Sequence, residues 1–179
     1  NHKQAKENPN ALSKKTYTIQ DVVNSKKLTD DLRLLDCSRP CTGSASILLA
    51  SEEVVRKNTD RPVWITGIGQ KTTSAGFTKN NSLSSMESTK IAGQSALKMA
   101  NHTISDIDVA EVHDAFSVCE PMALESLGFV NPGKGMSIIN DLHETNNFKI
   151  NPRGGLIGTG HPLGATGISQ TIEIVQQLQ

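Results

Sequence analysis

Six glycines fall within the fourteen residues 154–167, at positions 154, 155, 158, 160, 164 and 167. Glycine lets the backbone come very close to a ligand or to another segment, so the stretch predicts either a structurally packed tight loop or a ligand-binding loop. Pro162 suits the first turn of a helix, which predicts that His161 lies near the N-cap. The positive helix end keeps imidazole neutral, and a neutral ring can accept a proton or donate a hydrogen bond to a developing oxyanion.

Strand-like and helix-like patterns alternate along the rest of the chain. Apolar runs that predict strands, the first two buried on both faces, lie at residues 44–50, 63–69 and 107–113. Helical patterns lie at about residues 51–57, 86–101, 117–128 and 168–178, and capping-box patterns at residues 84–87 and 117–120. This alternation predicts an α/β fold with a largely parallel sheet.

The composition is that of an ordinary globular chain, with 36 % hydrophobic residues, 20 % charged residues and a mean hydropathy of −0.33. Eighteen basic residues offset eighteen acidic ones and aromatics make up 3 %, so neither a basic field nor a base-stacking surface for nucleic acid is expected. No apolar run approaches the roughly 18 residues of a membrane span. Three cysteines and the lack of a signal-peptide pattern favour a reducing, cytoplasmic location.

His113 ends the third predicted strand, and ligands of open α/β sheets gather at the carboxyl ends of strands. Taken alone, a histidine there is as well explained by structure as by function. Glu120 either closes a capping box or orients a histidine. Cys37 and Cys41 lack the further close ligands that a zinc site needs, and Cys119 is better explained as a small buried residue than as a nucleophile. Two candidate histidines therefore suggest acyl chemistry without a convincing nucleophile.

Two motifs resemble those of the thiolases, and in particular the branch of sterol-carrier-type and archaeal acetoacetyl-CoA thiolases. Residues 151–167 read Asn-Pro-Arg-Gly-Gly-Leu-Ile-Gly-Thr-Gly-His-Pro-Leu-Gly-Ala-Thr-Gly and are similar to that family's glycine-histidine-proline signature. Residues 113–116, His-Asp-Ala-Phe, resemble its second motif, where other thiolases carry Asn-Glu-x-Phe. Residues 32–38 also resemble a family segment, so the likeness covers nearly the whole chain.

The resemblance implies a thiolase-like layered α-β-α fold, mostly its C-terminal half. Residues 1–60 would be a connecting segment plus the last strand and helix of the N-terminal half. Residues 61–179 would be the C-terminal domain without its final strands. The first residue is Asn, and both the half that would carry the nucleophile and the final C-terminal strands are missing. We therefore expect the chain to be a piece of a larger protein. Alone it would leave a sheet edge and apolar helix faces uncovered, and it is not expected to be a stable monomer.

The resemblance also implies a reaction and roles for individual residues. The reaction is the Claisen condensation of two acyl-CoA molecules or its thiolytic reverse. His161 would activate a nucleophilic cysteine that lies outside this chain, and His113 would contribute to the oxyanion hole. Gly155, Gly160 and Phe116 would bind the substrate. The coenzyme A thioester would be the substrate, and no metal or redox cofactor is implied.

Partners and alternatives follow from the same resemblance. A homo-oligomer and an N-terminal thiolase segment are expected, and hydroxymethylglutaryl-CoA synthase and a small OB-fold protein are further candidate partners.

The chain departs from the family pattern at residues 42–45, which read Thr-Gly-Ser-Ala where the family usually reads Asp-Gly-Ala-Ala. A non-catalytic thiolase-like subunit that binds acyl-CoA or another protein stays open as an alternative. A ketoacyl synthase is disfavoured because its histidine motifs differ from residues 160–162.

Overall fold

The computed structural model describes residues 1–76, 79, 82–137 and 148–179. They form two compact units. The first unit consists of Asn1–Trp64, Val109–Ser117 and Asn151–Gln179, and the second of Ile65–Asp108 and Val118–Ile150. The first unit thus joins three segments that are far apart in sequence. The expected domain division at residues 1–60 and 61–179 stays a prediction.

Helices make up most of the regular structure in the described residues. In chain order the elements are α1 (His2–Glu7), α2 (Ile19–Val23), a 3-10 helix (Leu34–Asp36), α3 (Glu52–Asn58), α4 (Glu87–Ala100), a second 3-10 helix (Ile104–Asp106), β1 (Val109–Ala110), α5 (Cys119–Leu127), β2 (Lys149–Ile150), α6 (Gly155–Thr159) and α7 (Thr166–Leu178). The helices predicted at residues 51–57, 86–101 and 168–178 are confirmed. None of these described helices is long and apolar enough to cross a membrane.

The core of the first unit forms where α1 packs against α6. Ala5 of α1 and Leu156 of α6 are fully buried, and Val112, shortly after β1, is buried as well. The Leu12 N–H donates to the Thr159 carbonyl at 2.9 Å, which holds the residues after α1 against the end of α6. Part of the predicted glycine loop is therefore a short helix at the centre of this unit.

In the second unit, α4 packs against α5. Helix α5 ends at Gly128, whose φ of 91° is the left-handed conformation that stops a helix, as predicted. The capping box predicted at residues 84–87 is wrong. Met86 occupies the N-cap of α4, and its N–H donates to the Ser126 hydroxyl at 2.9 Å.

Two of the three predicted strands are wrong. Residues 44–50 and 63–69 carry no strand, and their large apolar side chains are exposed rather than buried on both faces. Leu48 is 93 % exposed, and Ile65 and Ile68 are each 64 % exposed. The composition of a buried strand sets a preference for burial, but a strand forms only when a neighbouring strand supplies its hydrogen bonds.

The third predicted strand, residues 107–113, shortens to β1. Its hydrogen bonds follow a parallel register. Within the second unit the Lys149 N–H donates to the Asp108 carbonyl, and within the first unit the Asn151 N–H donates to the Ala110 carbonyl, both at 2.9 Å. Strand and helix are thus both present, with parallel strand geometry, as the alternation predicted.

Candidate functional site

The two histidines that the motifs single out lie side by side in the first unit, although 48 positions separate His113 from His161. Their ring centroids are 4.9 Å apart and the ring planes meet at 81°. His161 is buried, with 8 % of its surface exposed, whereas His113 is exposed. One buried and one open imidazole therefore face the same small region.

The His113 ring is disposed to stay neutral. Loss of hydration lowers its pKa below the ordinary value, and the neighbouring His161 ring lowers it further because two adjacent positive rings would repel each other. A neutral imidazole carries one N–H donor and one acceptor nitrogen. His113 can therefore donate a hydrogen bond near neutral pH without bringing a positive charge.

Residues 36–41, here called the bridging segment, bond to both histidine motifs. On one side the Ser38 N–H donates to the Ala115 carbonyl at 2.9 Å, and Cys37 pairs with Phe116 in an antiparallel bridge. On the other side the His161 N–H donates to the Arg39 carbonyl at 2.8 Å. The bridging segment thus fixes the backbone of both motifs at once, which no local sequence pattern indicated.

Ser117 also bonds to the bridging segment, and these bonds explain why the capping box predicted at residues 117–120 is wrong. Its hydroxyl donates to the Asp36 carboxylate at 2.9 Å, and its N–H donates to the Asp36 carbonyl at 2.8 Å. Helix α5 instead has Val118 at its N-cap, with no side-chain cap. Glu120, the other member of the predicted box, belongs to the second unit and is buried.

Asp114 follows His113 and is fully buried. Its carboxylate accepts hydrogen bonds from the Leu156 N–H at 2.6 Å, the Ile157 N–H at 3.3 Å and the Asn1 side-chain amide at 2.8 Å. A carboxylate at a helix N-terminus satisfies backbone donors that have no partner within the helix. Asp114 therefore fastens the histidine motif to the first turn of α6.

This contact accounts for Gly155, one of the predicted substrate-binding residues. A side chain there would place its Cβ 2.2 Å from the Asp114 carboxylate, and the φ of 58° is left-handed. Gly160, the second such residue, has φ 105°, and a Cβ there would lie 3.0 Å from the Cys41 sulfur. Both glycines are needed for the packing of the chain itself, and their role toward a substrate stays a prediction.

Asn151 joins the glycine-rich segment to the residues before His113. It is fully buried, and its φ of 45° is one that Asn tolerates better than most residues. Its side-chain oxygen accepts the Val112 N–H at 2.8 Å. Gln170 of α7 donates to the Val112 carbonyl at 3.0 Å. Both polar groups of the Val112 backbone are thereby held just before the motif.

The helix that follows His161 begins later than predicted. Helix α7 starts at Thr166 with Ala165 at its N-cap, so His161 does not lie at a helix N-cap. The ring is held by a side chain instead: His161 Nδ1 lies 2.7 Å from the Thr166 hydroxyl oxygen. Thr166 is almost fully buried, and sequence reasoning assigned it no role.

The side chains of Glu111 and Arg153 lie close together beside the motif, in the same unit. The Arg153 Nε is 3.8 Å from a Glu111 carboxylate oxygen, and that side chain is 1 % exposed. Burial raises the pKa of Glu111 to about 8, an effect that the Arg153 charge partly offsets and that the charges of Glu173 and Asp114 increase. Glu111 is therefore protonated over much of the neutral range.

A cleft of about 610 Å³ opens in the first unit beside the glycine-rich segment. Its lining includes Gly160, Pro162, Arg153 and residues 41–45. The volume is in the range of small-molecule sites. Gly160 thus lines a cleft, whereas Phe116 is 43 % exposed beside the bridging segment.

The three cysteines are free thiols. Burial, followed by the charge of Asp36, raises the pKa of the Cys37 thiol above its ordinary value, which makes it a poor nucleophile. Within the described residues, no cluster of three or more His, Cys, Asp or Glu side chains is arranged to hold a metal ion.

Comparison with known proteins identifies the family to which these motifs belong. A family model described as "Thiolase C-terminal domain-like" matches residues 69–179. The chain is 39 % identical over 181 residues to acetyl-CoA acetyltransferase of Methanothermobacter thermautotrophicus, covering 100 % of this chain and 47 % of that protein. It is 36 % identical over 186 residues to sterol carrier protein 2 of Gallus gallus, covering 100 % of this chain and 34 % of that protein.

A solved structure has a similar fold. The chain superposes on one from the Ltp2-ChsH2(DUF35) aldolase with a TM-score of 0.84 at 24 % identity, covering 99 % of this chain and 48 % of the other. The thiolase-like α/β fold is thereby confirmed. The chain spans about half the length of this structure and of the archaeal relative, and a third of the sterol carrier protein.

Proposed function

This chain belongs to the thiolase C-terminal domain-like family, and we propose that it forms part of an acyl-CoA C-acyltransferase. The reaction would be the Claisen condensation of acyl-CoA to 3-ketoacyl-CoA or its thiolytic reverse. The observation that supports this proposal is the pair of histidine rings, His113 and His161, with centroids 4.9 Å apart. Two relatives named acetyl-CoA acetyltransferase match nearly the whole chain at 39 % and 35 % identity.

In this proposal each histidine has a separate role. In the condensation direction, His161 takes the proton of a cysteine thiol supplied from outside these residues, and the resulting thiolate attacks the thioester carbonyl. The acyl group then becomes bonded to that cysteine, and the coenzyme A thiolate leaves and takes up the proton from His161. His113, kept neutral by its lowered pKa, donates a hydrogen bond to the oxyanion of the enolate. The substrate is a coenzyme A thioester, and the proposal includes no metal or redox cofactor.

The proposal includes a cytoplasmic homo-oligomer and an N-terminal thiolase segment that brings the nucleophile. Exposed apolar side chains at residues 47–49 support the need for further covering polypeptide. The name of the structural neighbour couples Ltp2 with ChsH2(DUF35), which supports a search for a partner protein. Hydroxymethylglutaryl-CoA synthase and an OB-fold protein are the candidates.

The test is acetoacetyl-CoA cleavage by the complete protein that contains these residues. Replacing His161 by Ala should lower kcat about 10²- to 10⁴-fold, as loss of a general base does. Replacing His113 by Ala should lower it about 10²- to 10³-fold, as loss of an oxyanion donor does. The matched control is His102→Ala, because His102 is an exposed histidine of the second unit. Full activity in the His113→Ala, His161→Ala double variant would refute the proposal.

A non-catalytic acyl-CoA-binding or scaffold subunit is the second candidate. Burial raises the pKa of the Cys37 thiol, so this thiol of the bridging segment is a poor nucleophile and these residues by themselves are not expected to turn over substrate. This candidate predicts coenzyme A binding without turnover even in the complete protein. Intact mass spectrometry of the purified material separates the cases first, by showing whether a polypeptide with a nucleophilic cysteine accompanies this chain.

A further inference from the structure

The hydroxyl of Thr166 makes two contacts that together constrain the proton on His161. Its oxygen lies 2.7 Å from His161 Nδ1 and 3.1 Å from the Pro162 carbonyl oxygen. A hydroxyl has one hydrogen to donate, and a carbonyl oxygen can only accept. The Pro162 carbonyl also accepts the Ala165 and Thr166 N–H groups, at 2.8 and 3.0 Å. Both contacts of the hydroxyl can be hydrogen bonds at once only if it donates to Pro162 and accepts from a hydrogen on Nδ1.

We propose that Thr166 is a positioning residue that holds neutral His161 in the Nδ1–H tautomer and leaves the lone pair on Nε2. A neutral imidazole has one N–H, and the hydrogen bond at one nitrogen decides which nitrogen is free. The opposite assignment, with Thr166 donating to Nδ1, would leave the Pro162 carbonyl facing the hydroxyl lone pairs at 3.1 Å. Only the Nδ1–H tautomer satisfies both contacts.

Burial strengthens this assignment. Thr166 is 1 % exposed and His161 is 8 % exposed, so water has little room to replace either contact. The backbone around the ring is also fixed, because the His161 N–H donates to the Arg39 carbonyl at 2.8 Å. Thr166 is therefore the side chain that selects the tautomer of a ring already held in place.

The consequence for a proton transfer is specific. When a donor group gives its proton to Nε2, the donor keeps the electron pair and the ring becomes an imidazolium with hydrogens on both nitrogens. Nδ1–H then makes a charge-assisted hydrogen bond to the Thr166 oxygen, and such bonds are stronger than neutral ones. Only the use of Nε2 as a base rests on the proposed function, whereas the tautomer itself does not.

The test is ¹⁵N NMR of the histidine side chains in the complete protein at about pH 8, well above the ordinary histidine pKa of about 6.5. The ¹⁵N shifts and two-bond couplings distinguish the two tautomers, and a His161→Gln variant assigns the signal. We expect the Nδ1–H form in the unaltered protein. A spectrum of the Nε2–H form would overturn the proposal without any variant being needed.

Thr166→Val removes the hydroxyl at nearly constant volume. It should shift the tautomer ratio toward Nε2–H by about tenfold, the loss expected for one ordinary hydrogen bond. Thr166→Ser keeps the hydroxyl and should retain the Nδ1–H form. If the Val variant does not fold, Thr166→Ala removes the same oxygen. An unchanged ratio in the Val or Ala variant contradicts the proposal.

The matched control is Thr171→Val on the same helix. The Thr171 hydroxyl donates to the Gly167 carbonyl at 2.9 Å, the same bond to the residue four positions earlier that Thr166 makes to Pro162. Within the part of the chain that the structure describes, no hydrogen bond joins the Thr171 hydroxyl to an imidazole. The control variant should leave the tautomer ratio unchanged. An equal shift in the control would mean that helix perturbation, and not the hydroxyl contact, sets the tautomer.

In the cleavage assay, Thr166→Val should lower kcat more than it changes KM. A tautomer shift without a loss of kcat would count against the proposed base and not against the tautomer assignment.

Discussion

The histidine motifs and the apolar residues 44–50 belong to the same unit but are covered in opposite ways. Asp114 and Leu156, beside the histidines, are fully buried, whereas Leu48 is 93 % exposed and Leu49 is 68 % exposed. Around the histidines, every contact described above comes from within the unit. The apolar run has the composition of a buried strand, but none of the described residues forms a strand beside it. Burial is thus decided by available partners, and composition gives only the preference.

The largest expected effect compares two leucines from these regions. Leu156→Ala should lower the free energy of unfolding by about 2–5 kcal/mol, because it empties a fully buried position. In these 179 residues without further polypeptide, Leu48→Ala should change it by no more than about 0.5 kcal/mol, because the side chain is already in water. Urea denaturation followed by circular dichroism measures both. Equal losses would show that residues 44–50 are packed in solution.

Asp114→Ala tests the polar side of the same contrast. The variant leaves the Leu156 and Ile157 N–H groups without their acceptor, and we expect a loss of about 3 kcal/mol. Asp31→Ala, at an exposed carboxylate of the same unit, is the control and should stay within about 0.5 kcal/mol. A loss in the control as large as in the variant would assign the effect to net charge.

Glu111 gives a pH-dependent comparison. Its pKa is about 8 in the folded chain, so between about pH 4.5 and 8 the unfolded chain loses the proton while the folded chain keeps it. Stability should therefore fall as the pH rises through this window. Glu111→Gln cannot ionise, and its advantage over the unaltered protein should grow to the order of 3 kcal/mol near pH 8.

Glu125→Gln is the control with the opposite sign. Backbone N–H groups, those of Gly133 and Gly135 foremost, hold the pKa of Glu125 below its usual value. Its contribution is present above the ordinary carboxyl pKa and is lost as the pH falls. The Gln variant should therefore be less stable than the unaltered protein above about pH 4.5. Parallel pH curves for the two variants would contradict both assignments.

The smallest effect concerns His113. Its NMR titration midpoint should lie below about 6.5, because lost hydration and the neighbouring ring lower its pKa. The stability linked to this group is present above the unfolded pKa and is lost as the pH falls below it. His161→Gln should raise the midpoint only part of the way, because the smaller cause is removed. A midpoint at or above the ordinary value would contradict the packing around the ring.

Much of the local structure could be predicted from the sequence. The helix predicted at residues 86–101 is Glu87–Ala100, and the stop at Gly128 is confirmed with φ 91°. The two histidine motifs, and with them the family, were also legible in sequence. These features rest on short-range rules, since helix hydrogen bonds, helix stops and motif spacings involve residues a few positions apart.

Only the tertiary structure decided the features that depend on distant residues. It brought the ring centroids of His113 and His161 within 4.9 Å of each other. It also placed the hydroxyl of Thr166, a residue of the signature with no role assigned from sequence, 2.7 Å from His161 Nδ1. It also left residues 44–50 without a strand, although their composition predicted one. The physical reason is common to all three features. Ring contacts and strand pairing need a partner from elsewhere in the chain. A local sequence pattern indicates the preference of a residue, but it does not determine whether the tertiary structure supplies that partner.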